Sequence, residues 1–324
     1  MTNEVHVLIS APYMIAEWPR FESIFDDAGI RTTIPEVRER LSEDELMVFA
    51  GDIDGAICGD DRFTKRVLSQ AVPRLKVISK WGTGIDSIDS EAAKALGIQI
   101  CNTPGAFTEA VSDSVMAYML VFARQVAWLD AVMKNGGWEK IQSRALHECT
   151  LGVVGVGRIG KAVLRKAKTF GMKLYGNDII EIPAQFIDEV GLNVVDLPVL
   201  LEQSDFVSLN CDLNPTSHHL MDEAAFGFMR PDAVLINTSR GPVVDEQALA
   251  DALSSGRIFG AALDVFEDEP LPEESPLLSM SNVLLAPHNA NSSPEAYERV
   301  HRNTIRNLFI GLGLDVPAVA LEKR

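Results

Sequence analysis

The sequence predicts an α/β protein made of two parallel-sheet units. Three observations carry that expectation. Short apolar runs rich in Val, Ile and Leu recur between amphipathic stretches, a glycine-rich turn at residues 155–160 lies between one such run and a helical stretch, and the chain has 324 residues. At roughly 100 to 200 residues per domain, that length argues for two domains. Continuous apolar strands alternating with helices imply parallel sheets covered on both faces. With 47% hydrophobic and 23% charged residues the composition is that of a globular chain, which sets disorder aside.

The first series of strands is read at Val5 to Ser10, Gly55 to Cys58, Leu75 to Ser79 and Ile98 to Cys101. Pro12, Pro35, Pro73 and the Gly82 to Gly84 loop punctuate it, and Asp89 to Leu96 has helical spacing that ends at Gly97. These hundred residues read as one small α/β unit. Thr108 to Lys134 carries a long apolar pattern, predicting a helix packed at the junction between units. Its core, Val115 to Ala123, is the longest apolar run; Arg124 stops it far short of the ~20 residues that span a bilayer, so it reads as a buried helix and no membrane is expected.

A second series begins with Leu-Gly-Val-Val-Gly at Leu151 and continues at Lys173 to Gly176, Phe206 to Leu209, Ala233 to Asn237, Gly260 to Asp264 and Val283 to Ala286. Six strands separated by helical stretches suit a doubly wound nucleotide-binding sheet. The last helical pattern, Pro294 to Leu312, has nowhere to pack in that sheet and is expected to return to the first unit. The expected domains are therefore residues 1–101 with 289–324, and residues 102–288. No internal repeat is visible.

Charge excludes one class of partner. Lys and Arg total 29 against 46 Asp and Glu, a formal charge of −17, so a nucleic acid would be repelled over most of the surface. Near the N-terminus Glu4 stands where an export signal needs basic residues, and His6 interrupts the apolar stretch. Cys58, Cys101, Cys149 and Cys211 form no C-x-x-C pair and have no His at ligand spacing, so they read as free buried thiols of a cytoplasmic protein, with no metal site.

Gly155-Val156-Gly157-Arg158-Ile159-Gly160 follows a predicted strand and opens the helix that runs through Lys161 to Phe170, the context of a Rossmann-type dinucleotide turn. The first glycine permits the tight turn, the second lets backbone approach a pyrophosphate, and the third lets helix and strand pack closely. Asp178 ends the next strand, where an acidic side chain accepts hydrogen bonds from an adenosine ribose. No Arg or Lys follows among Ile179, Ile180 and Glu181, so NAD is expected over NADP.

Three further loops leave the carboxyl ends of later strands. Asn237-Thr238-Ser239-Arg240-Gly241 presents an Arg that can bind a carboxylate bidentately, although alone it reads as a surface ion pair. Asp264-Val265-Phe266-Glu267-Asp268-Glu269-Pro270 alone reads as a solvated acidic loop, and His288 in Ala286-Pro287-His288-Asn289-Ala290 alone reads as structural. Together, an Arg, a Glu and a His at strand ends beside a dinucleotide turn form a hydride-transfer set.

That order of motifs resembles the D-isomer-specific 2-hydroxyacid dehydrogenases of the phosphoglycerate dehydrogenase-like kind, over most of the chain. Lys80-Trp81-Gly82-Thr83-Gly84-Ile85-Asp86 and Asn102-Thr103-Pro104-Gly105 resemble the family's loops in the substrate domain and at the interdomain crossing. The resemblance implies a Rossmann-type NAD domain with a discontinuous flavodoxin-like substrate domain, and hydride exchange between NAD(H) and a small D-2-hydroxy acid. Glyoxylate, hydroxypyruvate, 3-phosphoglycerate and bulkier oxo acids all stand as substrates.

The resemblance also implies roles. His288 would give a proton to the substrate carbonyl oxygen and take it back in oxidation. Glu269 would hold the ring and support its charge, and Arg240 would clamp the oxo acid. Lys80 and the N–H groups of Trp81, Gly82, Thr83 and Gly84 would meet the substrate. Asp264 would face the nicotinamide carboxamide, with Thr83, Arg158, Ile159, Cys211 and Thr238 lining the cofactor, and the chain would pair as a homodimer or larger.

Departures from the family pattern are Asp212 where many relatives carry proline, the polar Asn289 and Asn291, and a Gly59-Asp60-Asp61-Arg62 loop unlike the basic loop of a phosphoglycerate enzyme. A second reading is an NAD-sensing regulatory binding protein on the same fold, against which the intact Arg240, Glu269 and His288 weigh. A serine hydrolase lacks its G-x-S-x-G elbow.

Overall fold

The computed structural model describes residues 4–321. Strands β1 (Val5–Ile9), β2 (Ile30–Thr33), β3 (Gly55–Cys58), β4 (Val77–Lys80) and β5 (Gln99–Cys101) form one parallel sheet in the order β2-β1-β3-β4-β5. This is the flavodoxin-like winding, with a crossover on each side of β1. Leu8, Ile9, Ala56, Ile57 and Ile78 are fully buried because helices cover both faces, which is why these strands read as unbroken apolar runs.

Seven strands make the other sheet: β6 (Thr150–Val154), β7 (Lys173–Asn177), β8 (Asn193–Val194), β9 (Phe206–Leu209), β10 (Val234–Asn237), β11 (Gly260–Leu263) and β12 (Val283–Leu285). Their order, β12-β11-β10-β9-β6-β7-β8, is the Rossmann order with one strand added, and all pairs are parallel. The winding reverses between β6 and β9, which sets a ligand crevice at the carboxyl ends there.

Two strands escape the sequence pattern, and both are edge strands. In β2 only Ile30 is buried and Arg31 is exposed, so no apolar run marks it. In β8 both residues are exposed, which raises the expected six strands of the second sheet to seven.

The predicted helix over Thr108 to Lys134 is two helices, Thr108–Arg124 and Val126–Lys134, bent by 56°. Gln125 makes the break in a left-handed conformation, φ +52°, with its N–H donated to the Phe122 carbonyl. With neither Gly nor Pro there, the sequence gives no sign of it. Val115, Met119 and Phe122 of the first of these helices are buried in one cluster with Val153, Val163 and Leu164 of the second sheet's unit. Among the described residues no single helix is long and apolar enough to cross a membrane. All four cysteines are free; Cys58 and Cys149 are buried, whereas Cys101 and Cys211 are partly exposed, which corrects the expectation of four buried thiols.

The chain divides into two units, one holding the residues up to Ala106 with those from Ser293 on, the other Phe107–Ser292. What joins the late segment to the first sheet is the helix Pro294–Leu312, capped by the Ser293 side chain and ended by the left-handed Gly313. Ser79 Oγ donates to the Thr304 carbonyl at 2.8 Å, and Asn303 Nδ2 donates to Thr103 Oγ1 at 2.9 Å. Gly311 lets the helix lie against β4, since a Cβ there would be 2.4 Å from Val77 Cγ2.

Gly311→Ala is therefore expected to destabilise this unit by about 1–3 kcal/mol through overpacking. Urea unfolding followed by circular dichroism should show a lower midpoint for the transition of the first unit and an unchanged one for the second.

Candidate active site

Gly155 follows β6 with φ +87°, and its own Cβ, were one present, would lie 2.5 Å from Cys211 N and 2.7 Å from the Asn210 carbonyl carbon. At Gly160 it would lie 2.1 Å from the Gly155 oxygen, whereas at Gly157 nothing stands within 4 Å. The first and third glycines thus allow close packing and the second faces open space. The helix begins at Arg158, not Lys161, so Arg158, Ile159 and Gly160 form its first turn; Gly157 caps it without a side chain, leaving N–H groups for an anion.

Asp178 stands one residue past β7. Its Oδ2 accepts the Val156 N–H at 2.6 Å and its Oδ1 accepts the Ile180 N–H at 2.9 Å, so it ties down the glycine loop and still has lone pairs for ribose hydroxyls. Past β9 and β10, Asn210 Oδ1 and Thr238 Oγ1 are buried without a partner among the described residues. A buried polar atom left unpaired costs about 1–3 kcal/mol, so these two atoms fit a polar ligand. Asn210 was not read as a site residue; its sole sequence signal is its place between β9 and Cys211. Cys211, partly exposed nearby, has its thiol pushed up to about 11 by burial, helped by Asp212 and Asp178, and so is neutral near pH 7. Glycine cradle, ribose acceptor and orphaned polar atoms together fit a dinucleotide.

Arg240 follows β10. Asn237 shapes its loop: Oδ1 accepts from Ser239 N and Oγ, and Nδ2 donates to the Arg240 carbonyl at 2.9 Å. The Arg240 Nη1 donates to the Ser239 carbonyl at 2.9 Å. At Gly241 a Cβ would fall 1.8 Å from the Phe266 carbonyl, so only glycine lets this loop lie on the turn that carries Glu269. Glu269 Oε1 accepts the Phe266 N–H at 3.0 Å, and Oε2 lies 3.0 Å from His288 Nδ1. Because an ionised carboxylate only accepts, this pairing places a hydrogen on Nδ1.

Asp264 builds the loop that presents His288. Its backbone oxygen accepts the His288 N–H at 2.8 Å, Oδ1 accepts from Asn289 N at 2.8 Å, and Oδ2 accepts from Ala290 N at 2.9 Å. Burial raises its carboxyl above the usual range, against the pull of those N–H groups. This hold on the loop was not read from the sequence. His288 itself is left-handed, φ +50°, a conformation that a non-glycine residue keeps only where its surroundings enforce it.

In the other unit, Lys80 is 3% exposed and its Nζ donates to Asp60 Oδ1 at 2.8 Å, an internal ion pair. Trp81 is buried; its indole N–H donates to His301 Nδ1 at 3.0 Å and its ring stacks on Tyr13 at 4.6 Å. The Trp81 backbone N–H, expected on the substrate, is donated to the Cys58 carbonyl at 2.8 Å because the chain still follows the sheet there. The N–H groups of Gly82, Thr83 and Gly84 have no partner among the described residues. Thr83 Oγ1 donates to the Thr103 carbonyl and Asn102 Nδ2 to the Thr83 carbonyl, so Asn102-Thr103 fixes this loop.

A carboxylate-backed imidazole on the same sheet edge as a dinucleotide cradle is the equipment of a nicotinamide-dependent dehydrogenase, since hydride moves to or from a carbonyl carbon only as a proton moves at its oxygen. The model of the D-isomer specific 2-hydroxyacid dehydrogenase NAD binding domain matches residues 116–290. The chain is 42% identical over 246 residues to glyoxylate reductase of Korarchaeum cryptofilum, covering 74% of each protein. With hydroxypyruvate reductase of Thermotoga maritima it shares 36% over 280 residues, 85% of this chain and 90% of that one. The crystal structure of Aquifex aeolicus D-lactate dehydrogenase with NAD and lactic acid superposes with a TM-score of 0.83 at 27% identity, covering 92% of each chain. The chain belongs to the D-isomer specific 2-hydroxyacid dehydrogenase family, and it is an NAD-linked oxidoreductase acting on the 2-hydroxy acid and 2-oxo acid couple.

Replacing Asp178 removes a carboxylate with lone pairs available to ribose hydroxyls and a charge that would repel a 2′-phosphate. Asp178→Ala is expected to lower kcat/KM for NADH by about tenfold or more while leaving NADPH use unchanged or improved, as read from the ratio of the two. A parent enzyme that uses both cofactors equally would contradict this role.

Proposed function

We propose that this enzyme reduces small, unphosphorylated 2-oxo acids to D-2-hydroxy acids with NADH in preference to NADPH, glyoxylate and hydroxypyruvate being the first to try. The observation that carries the proposal is the Glu269–His288 pair on the same sheet edge as the glycine cradle and Arg240. Curated relatives with those two activities support the choice of substrates, and the pairing of Lys80 with Asp60 favours a substrate without a phosphoryl group.

In this reading the unit Phe107–Ser292 binds NAD and the other unit carries the substrate loop. Bound NADH supplies the hydride. His288 Nε2 gives the proton to the carbonyl oxygen, and Glu269, which accepts from Nδ1, balances the imidazolium charge. Arg240 clamps the carboxylate and polarises the carbonyl. In oxidation His288 must start neutral, as the base.

The enzyme is placed in the cytoplasm, where its thiols stay reduced, without nucleic-acid or membrane partners. A homodimer is proposed because no side chain of the helix Val126–Lys134 is fully buried although most are apolar, and Trp138 beyond it is 79% exposed. Such a face is covered by a second copy of the chain. Sedimentation at micromolar concentration should therefore give at least twice the 35.4 kDa chain mass.

His288→Ala should lower turnover by roughly 10² to 10⁴ with NADH affinity unchanged. In Glu269→Gln the amide oxygen keeps the Phe266 N–H and the NH₂ group turns toward Nδ1, so the imidazolium loses its counter-charge. The alkaline limb of reduction should then move to lower pH, and oxidation should persist to lower pH. Parallel pH profiles of parent and variant check both, and superimposable curves would remove Glu269 from the relay. Tight NADH binding with no turnover across a panel of 2-oxo acids would indicate an NAD sensor instead.

A further inference from the structure

The turn that carries Glu269 holds a second carboxylate–imidazole pair. His219 Nε2 is 2.6 Å from Glu267 Oε1, with side chains 38% and 33% exposed. The loop that carries His219 leaves β9 and is stitched to the loop after β10: His219 N donates to the Pro242 carbonyl at 2.8 Å, Met221 N to the Val243 carbonyl and Asp245 N to the Met221 carbonyl, both at 3.1 Å. His219 is left-handed, φ +49°, nearly the value of His288. An imidazole in that conformation persists where several contacts enforce it. Here these are the Pro242 carbonyl, Glu267, the ring of His218 stacked at 4.1 Å, and Asp245 Oδ2 at 3.9 Å from Nδ1.

Glu267 belongs to the turn that presents Glu269. Its N–H donates to Glu246 Oε1 at 2.6 Å, and the adjoining Phe266 supplies the N–H that fixes Glu269 Oε1. The turn is thus gripped at the backbone by Glu246, against its carbonyl by Gly241, and at the Glu267 side chain by His219. It is also crowded with negative charge: burial, with Glu267, Asp268 and Glu269 nearby, raises the Glu246 carboxyl above its usual range. Imidazole donation to Glu267 opposes the mutual repulsion of these carboxylates.

We propose that His219 is a positioning residue for the proton relay, holding Glu267 and through it the turn that sets Glu269 against His288. This rests on the relay described under Proposed function. A half-exposed contact between an imidazole and a carboxylate contributes only about 0–1 kcal/mol to stability, so this contact acts on geometry more than on folding. A displacement of about 1 Å at a reacting group can cost on the order of a hundredfold in rate.

The test compares His219→Ala, His219→Asn, Glu267→Ala and the double variant His219→Ala/Glu267→Ala, with glyoxylate or hydroxypyruvate and NADH. Asn keeps a donor and tolerates the left-handed backbone. Expected are a roughly tenfold fall in kcat for His219→Ala with the NADH dissociation constant and Tm unchanged, recovery of most of that loss in His219→Asn, and a double variant no slower than either single one. The low-field proton resonance of the His288 Nδ1–H bond should shift in His219→Ala and return in His219→Asn, which reads the geometry without turnover. Parent-like kcat and resonance in His219→Ala, losses that multiply in the double variant, or a loss matched by falling Tm and NADH affinity would each overturn the proposal. His288→Ala is run beside them: if it stays active the relay itself is wrong, whereas an inactive His288→Ala with a parent-like His219→Ala removes only the role of His219.

Discussion

Every strand in both sheets runs parallel, and that constraint organises the rest of the molecule. Each connection must cross back over a sheet face, so helices cover both faces, the strands become wholly apolar, and all loops leaving the carboxyl ends gather along one edge. In the seven-stranded sheet those loops are the glycine turn after β6, Asp178 after β7, Asn210 and Cys211 after β9, Arg240 after β10, the Glu269 turn after β11 and His288 after β12. Residues more than a hundred positions apart gather on one edge because the winding leaves their loops no other place.

A buried aspartate fastens the loops at this edge in each unit. In the second unit Asp264, 1% exposed, collects N–H groups from the loop after β12. In the first, Asp61 is fully buried and accepts from Ser10 Oγ after β1, Leu41 N after β2 and Gly59 N after β3. Burial raises both carboxyls, and the N–H groups aimed at them work in the opposite direction. Loops have no ladder of their own to fix them, so a carboxylate with several acceptor sites is an economical common anchor. The same logic extends to Asn237 under Arg240 and to Asn102 beside Thr83.

Close backbone approach is the second recurring device. Gly241 lets the Arg240 loop rest on the Phe266 carbonyl, and Gly155 rests on the chain between Asn210 and Cys211. The rigidity that the proposed proton relay needs comes from backbone packing and N–H anchoring, and the Glu269 and His288 side chains remain only 15% and 24% exposed.

Much of this was legible in the residues. Strands such as Gly55–Cys58 and Phe206–Leu209 are buried on both faces and announce themselves by apolar continuity, and the Pro294–Leu312 helix by its Ser293 cap and terminal glycine. The motifs around Gly155, Asp178, Arg240, Glu269 and His288 carry the proposed chemistry in residue type and spacing, since a tight turn demands glycine and a proton relay demands an imidazole and a carboxylate. The tertiary structure decided what depends on partners distant in sequence. It pairs Lys80 with Asp60, gives the Trp81 backbone N–H to Cys58 and its indole to His301, breaks a long apolar helix at Gln125, and leaves Asn210 Oδ1 and Thr238 Oγ1 without a partner among the described residues. A sequence states which groups can donate or accept; only the fold determines which of them have already met a partner, because buried hydrogen bonds are settled by what the packing brings within about 3 Å.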